Sequence, residues 1–201
     1  MPRKKRDTSK KRNAILDAAA TVFVQEGYDS ASMDRIALLA GASKRTVYNH
    51  FASKDILFNA VLERLLEASE GLRAIEYDPD VGLADQLGRF VDAKQATVDN
   101  PAWLGLVRVA LAVHMRDTAL AREALAKYQS GDTALAEWVR AATQDGRLTT
   151  DDPELAATMF WALVGGALSW PQLFAGPLPA ATVQVLKQEA IETFLCRYAS
   201  R

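Results

Sequence analysis

Ser32 to Lys54, SMDRIALLAGASKRTVYNHFASK, is the stretch on which the reading of the whole chain turns. It predicts two short helices separated by Gly41-Ala42-Ser43. Ser32 is a good N-cap for the first, whose inward face would be Ile36, Ala37 and Ala40, and Gly41 supplies the left-handed residue that ends it. Ser43 then caps the second helix. Val47 and Phe51, four apart, share the face that packs on the first helix, where the small Ala37 lets the backbones come close. The opposite face carries Lys44, Arg45, Tyr48, Asn49 and His50. Donors and an aromatic on one short rod are the chemistry a helix needs to enter a DNA major groove, so the stretch reads as a helix-turn-helix. The alternative, a solvated helical hairpin that happens to be basic, would not bring cap, turn, aromatic and basic residues together in this order.

The block from about Asn13 to Leu62 resembles the DNA-binding domain of the TetR family of bacterial transcriptional regulators. The likeness lies in AILDAAATVFVQEGYDSASM leading in, IALLAGASKRTVYNHF in the middle and SKDILFNAV leading out. It covers about a quarter of the chain. The resemblance implies that Ser32, Lys44, Arg45, Thr46, Tyr48, Asn49, His50 and Lys54 contact double-stranded DNA. By their chemistry, Arg45 and Lys44 suit guanine acceptors or phosphates, Asn49 suits adenine and Thr46 a thymine methyl. Tyr48, His50, Ser32 and Lys54 suit phosphates. Asp34 would repel phosphate, and it is expected to turn toward Arg35 or Arg45.

The net charge of −1 hides an asymmetry. Residues 1–55 hold 11 Lys/Arg against 6 Asp/Glu, whereas residues 56–201 hold 13 against 19. The first part is built for a polyanion and the second is not. The single cysteine, Cys196, excludes an internal disulfide, argues against a cysteine-based zinc site and fits a reducing cytoplasm. Residues 1–12, with seven Lys/Arg, read as a disordered basic arm, either a solvated tail or one that reaches phosphates or a minor groove. No apolar run long enough for a signal peptide follows it. The most apolar window, Met159 to Leu168, is too short to span a membrane and is interrupted by Gly165-Gly166, so no membrane partner is expected.

Helical periodicity continues throughout, and the fold class is all-α. A first helix from about Ser9 to Glu26 buries Ile15, Ala19, Val22 and Phe23 and stops at Gly27. Ser53 caps a connecting helix from Lys54 to about Ala74. Further helices are expected over Leu83 to Asp99, Trp103 to Met115, Asp117 to Thr143 with a kink or break at Gly131, Pro153 to Leu168, and from Val183 to Tyr198. The segment Trp103 to Met115 is apolar nearly all round and reads as internal, and Trp170-Pro171 is expected to disturb the end of the helix before it. The resulting division is an arm over 1–12, a DNA-binding domain over 13–60, and a helical effector-binding and dimerisation domain over 61–201.

One short recognition helix reads only a few base pairs, so a palindromic operator bound by a homodimer is expected. The last two long helices are the interface candidates, with Leu163, Gly165, Gly166, Leu186, Ile191, Phe194 and Leu195; the alternative is that these helices simply complete the core of their own chain. The resemblance implies a pocket for a small-molecule effector. Phe90, Trp103, Leu106, His114, Met115, Tyr128, Trp138, Phe160 and Trp161 would suit a lipophilic or aromatic ligand. For any one of them a place in the core is the plainer reading. The resemblance also supplies the reading of a repressor released by its effector; a DNA-binding dimer without an effector is the alternative. No catalytic motif, metal spacing or cofactor signature is present, so neither an enzyme nor a cofactor is expected.

Overall fold

The computed structural model describes residues 3–67, 75–116 and 133–200, together with Arg122. Among these residues the regular structure is helical, apart from an isolated antiparallel bridge between Leu148 and Ala199. The chain divides into two compact units, residues 1–67 with 101–124, and residues 68–100 with 125–201.

The first unit holds α1 (Arg3–Ser30), α2 (Met33–Leu39), α3 (Lys44–His50), α4 (Lys54–Glu67) and α6 (Pro101–His114). Ile15, Ala19, Val22 and Phe23 of α1 are buried against Ile36 and Ala37 of α2, Val47 and Phe51 at α3, and Leu57, Phe58 and Val61 of α4. Gly27 leaves helical geometry at φ 77, so α1 proper ends at Glu26 and a short turn follows. At its other end α1 departs from expectation. It begins at Arg3, so the basic segment read as a disordered arm is helical from there. Lysine and arginine are good helix formers, and no glycine or proline follows Pro2 to stop the first helix from growing backward.

Helix α6 also differs. Leu104 and Leu106 are buried, but Pro101, Ala102, Arg108, Ala112 and the following Met115 are exposed and the other apolar side chains are half-buried. An all-apolar sequence therefore did not make this helix internal. One face seats on α1, where Gly105 lies so close to Val24 that a Cβ there would stand 2.8 Å from Val24 Cγ1.

The second unit holds α5 (Leu83–Val98), α7 (Ala134–Gln144), α8 (Pro153–Val164), a π-helical turn over Gly165–Ser169, α9 (Trp170–Ala175) and α10 (Ala180–Tyr198). Its core joins Leu87, Phe90 and Val91 of α5 to Leu135, Trp138 and Val139 of α7, Phe160 and Val164 of α8, and Ile191 and Phe194 of α10. Asp152 caps α8 as expected, accepting from Leu155 N at 2.8 Å, with Pro153 in the first turn. The fully buried Gln86 is saturated. Its Nε2 donates to the carbonyls of Asp78 at 2.7 Å and Val81 at 2.9 Å, while its Oε1 accepts from Asp78 N and Trp138 Nε1, both at 2.9 Å. Burial of a polar amide is tolerable only with such pairing.

Trp170-Pro171 does not end the helical run. The chain widens into the π turn at Gly165–Ser169 and continues as α9 to Ala175. A helical proline lacks one i→i−4 donor, and the π turn just before it already shifts that bond register. Two residues expected at a dimer face, Ile191 and Phe194, are buried in their own chain's core at 6% and 1% exposure. Apolar spacing marks a buried face without saying which neighbour buries it. The expected break at Gly131 and the far end of the connecting helix, beyond Glu67, lie outside the described residues.

Candidate nucleic-acid interface

The geometry of the α2–turn–α3 motif follows from its caps. Ser32 Oγ accepts from Arg35 N at 3.2 Å, and Ser43 Oγ from Thr46 N at 3.1 Å. Gly41 takes φ 59 between the helices, a conformation that would strain a side-chain-bearing residue. Val47 is fully buried and Phe51 nearly so, which fixes the rotation of α3 about its axis. Lys44, Arg45, Tyr48 and Asn49 are consequently exposed together, with Tyr48 at 43% exposure, while Thr46 and His50 stand half-buried at the edges.

Electrostatics modify this face. Lys44 Nζ pairs with Asp34 Oδ1 at 2.8 Å, and that hydrogen bond and charge raise the lysine's pKa above its ordinary value. Asp34 therefore turns to Lys44 rather than to Arg35 or Arg45, and Arg35 pairs with Glu26 at 3.2 Å. The Thr46 hydroxyl shares a 2.8 Å bond with Ser43 Oγ. Arg12, read only as part of a basic arm, places its guanidinium 5.3 Å from the Phe51 ring centre, at the end of α3.

Lys54 lies differently from its expected role as a phosphate ligand. Its ammonium donates to the carbonyls of Tyr28 at 2.7 Å, Ala31 at 3.1 Å and Asp29 at 3.2 Å, and stands 4.5 Å from the Tyr28 ring centre. An ammonium has three donors, and all are engaged. The Tyr28 hydroxyl donates to Asp55; burial first, and then the bond and charge of Asp55, raise its pKa well above the ordinary phenol value and keep it a donor. Arg116, just past α6, pairs with Asp29 of the same turn at 2.5 Å. The turn after Gly27 thus gathers α1, the start of α4 and the end of α6. The signal in the sequence was the helix end itself, whose last carbonyls need donors from somewhere.

The residues suggested for an effector pocket are divided. Phe90, Trp138 and Phe160 are buried in the core of the second unit, and Trp161 is half-buried beside them. Leu106 belongs to the core of the first unit, where Trp103 and His114 are half-buried and Met115 is 83% exposed. Tyr128 lies outside the described residues.

Residues 15–61 match the family model of bacterial regulatory proteins of the tetR family, and residues 85–200 match that of the AefR-like transcriptional repressor, C-terminal domain. The chain belongs to the TetR family. It is a DNA-binding transcriptional regulator and not an enzyme. A TetR family regulator from Pseudomonas syringae pv. tomato str. DC3000 is 35% identical with a TM-score of 0.79, over 94% of this chain and 97% of that one. The flavonoid-responsive regulator FrrA is 26% identical with a TM-score of 0.73, over 96% of this chain and 99% of FrrA. The transcriptional activator FasR of Mycolicibacterium smegmatis is 52% identical over 54 residues, which are 27% of this chain and only a quarter of FasR. TetR regulators bind DNA and usually dimerise. No helix among the described residues is long and apolar enough to cross a membrane. The C-terminal match includes α6, the helix seated on α1 within the first unit.

Proposed function

We propose that this TetR-family chain is a cytoplasmic homodimeric repressor that holds a palindromic operator and leaves it when a small lipophilic or aromatic molecule binds. The observation that carries the reading is the exposed face of α3, where Lys44, Arg45, Tyr48 and Asn49 stand together because Val47 and Phe51 are buried. Arg45 and Asn49 read base edges, and Tyr48, His50 and Ser32 hold phosphates. Because the Lys54 side chain is engaged with carbonyls, phosphate at the start of α4 meets the backbone N–H groups of its first turn instead.

The repressor sense draws support from the C-terminal match, and an effector from the likeness to a flavonoid-responsive regulator. A dimer draws support from an exposed apolar stripe, Leu155, Met159, Ala162, Gly166, Trp170 and Phe174, along α8, the π turn and α9. A Cβ on Gly165 or Gly166 would meet nothing within 4 Å in the single chain, so the room these glycines leave is open to a second copy.

Footprinting on the DNA upstream of the chain's own gene, at about 50 and 200 mM salt, tests the reading. A protected palindrome whose affinity falls steeply with salt is the expected result. Binding without any preferred site would overturn it in favour of an architectural role, and loss of protection on effector addition separates a repressor of this kind from a constitutive one.

A further inference from the structure

Most cations near the helix-turn-helix are engaged by their own chain. Arg35 pairs with Glu26 at 3.2 Å and Arg64 with Asp17 at 2.8 Å, Lys44 is held by Asp34, and Lys54 is held by three carbonyls. Arg12 differs. Its guanidinium stands 5.3 Å from the centre of the Phe51 ring, and among the described residues no carboxylate pairs with it. A cation–π contact draws on the charge of the guanidinium and leaves its N–H fork able to hydrogen-bond. The side chain is exposed, so that fork opens to solvent.

The position of Arg12 relative to α3 is fixed. It precedes the buried Ile15 and Leu16 by three and four residues, which puts it on the edge of the buried face of α1. Those two side chains share one core with Val47 of α3 and with Phe51, the residue that caps the C-terminal end of α3. A helix of seven residues is about 10 Å long and the major groove about 12 Å wide, so phosphate strands pass near both ends of α3 when its exposed face enters the groove. The end at Phe51 is the negative pole of the helix and by itself repels phosphate. Arg12 supplies positive charge there.

We propose that Arg12 is a DNA-backbone ligand: its guanidinium, steadied on the Phe51 ring, hydrogen-bonds a phosphate beside the C-terminal end of α3. Arg12 lies ahead of residues 15–61, the part of the chain that matches the family's N-terminal model, so that match gives it no role. The proposal rests on the reading of α3 as the DNA surface and adds a contact from α1. The planar fork suits two phosphate oxygens, and a phosphate contact is blind to base sequence.

Binding is measured by fluorescence anisotropy at several salt concentrations, on the operator fragment and on an unrelated duplex of equal length, so the test does not wait on the palindrome. The proteins are the full-length wild type, Arg12→Gln, Arg12→Lys and Arg45→Ala. Arg12→Gln is expected to weaken binding to both duplexes about fivefold or more at roughly 100 mM salt, with a salt slope shallower by about 0.9 for each subunit on the DNA. Arg12→Lys keeps the charge and with it the slope. In the wild type, phenylglyoxal is expected to modify Arg12 of the free protein and not of the duplex-bound protein, a mass-spectrometric readout that needs no variant. A slope unchanged by Arg12→Gln, a loss confined to one duplex, or an Arg12 that DNA does not protect overturns the inference; an unchanged slope with a lower urea midpoint would make Arg12 a packing residue of Phe51. Arg45→Ala keeps the two readings apart. If it weakens operator binding while Arg12→Gln does not, only the Arg12 assignment falls; if neither does, the DNA surface lies on another face and both fall.

Discussion

The Lys54 ammonium lies 2.7 Å from the carbonyl oxygen of Tyr28 and 4.5 Å from the centre of that residue's ring, so one side chain both caps the turn after α1 and covers its aromatic residue. Replacing it with alanine strands three carbonyls. Lys54→Ala is expected to lower stability in urea by about 1.5–3 kcal/mol, the range for hydrogen bonds to a charged group. The salt slope of operator binding should stay the same in that variant, whereas Arg45→Ala should weaken binding by about 1–3 kcal/mol and relax the base preference at the position it reads. A Lys54→Ala protein of unchanged stability whose salt slope drops by about one unit would return Lys54 to the phosphates.

The pair between Lys44 and Asp34 sets a second expectation. Both side chains are more than half exposed, and in operator binding a phosphate competes with Asp34 for the same ammonium. Asp34→Asn removes the competitor and one repulsive charge. Operator affinity at low salt is expected to rise about three- to tenfold, with a slope steeper by about 0.9. Gel-shift titrations at several salt concentrations measure both. Weaker binding by the variant would mean that the ion pair holds Lys44 in its DNA-contacting position.

How much was legible in the sequence follows the range of the interactions. Ser32, Gly41, Ser43, Ser53 and Asp152 act on backbone within three or four residues, so the sequence placed the caps, the turn and the buried faces of α1 to α3 correctly. Lys54 with the Tyr28 turn, and Arg12 with Phe51, join residues 26 and 39 positions apart, and no local pattern announces them. The apolar run Trp103 to Met115 misled for a related reason. Hydropathy reports what a helix can bury, while the extent of burial depends on its neighbours. The same limit put Ile191 and Phe194 at an interface when the core takes them. The more exposed Leu155, Met159 and Val185 were passed over.

Gly105 offers a test of how α6 is seated. Glycine to alanine inside a helix ordinarily stabilises by roughly 1 kcal/mol. Here the added methyl would stand 2.8 Å from Val24 Cγ1 and 3.1 Å from Cγ2, on a β-branched side chain with few rotamers. Gly105→Ala is therefore expected to destabilise by about 1–3 kcal/mol. In a Val24→Ala background the clash disappears and the same substitution should become neutral or stabilising. Urea titrations of the four proteins close the cycle, and additive effects would show that α6 and α1 do not touch at this point.

The exposed stripe on α8, the π turn and α9 separates an interface from a core. Leu155, Met159, Trp170 and Phe174 are 54%, 47%, 49% and 77% exposed, and Trp170 stacks on Phe174 at 5.7 Å with the rings 15° apart. Four large apolar side chains held outward along one helical run have no role in the core of their own chain. Met159→Glu places a charge in the middle of the stripe at no cost to that core, so the variant is expected to keep its helicity and urea midpoint at monomer concentrations but to sediment at half the wild-type mass. Its operator affinity should then fall by about two orders of magnitude or more, because two half-sites are no longer engaged by one particle. Ile191→Ala is the control: it empties space inside the chain and is expected to lose about 2–5 kcal/mol of stability. A Met159→Glu protein that remains a dimer at the same concentration would move the interface to another face, with the exposed Val185 side of α10 the next to test.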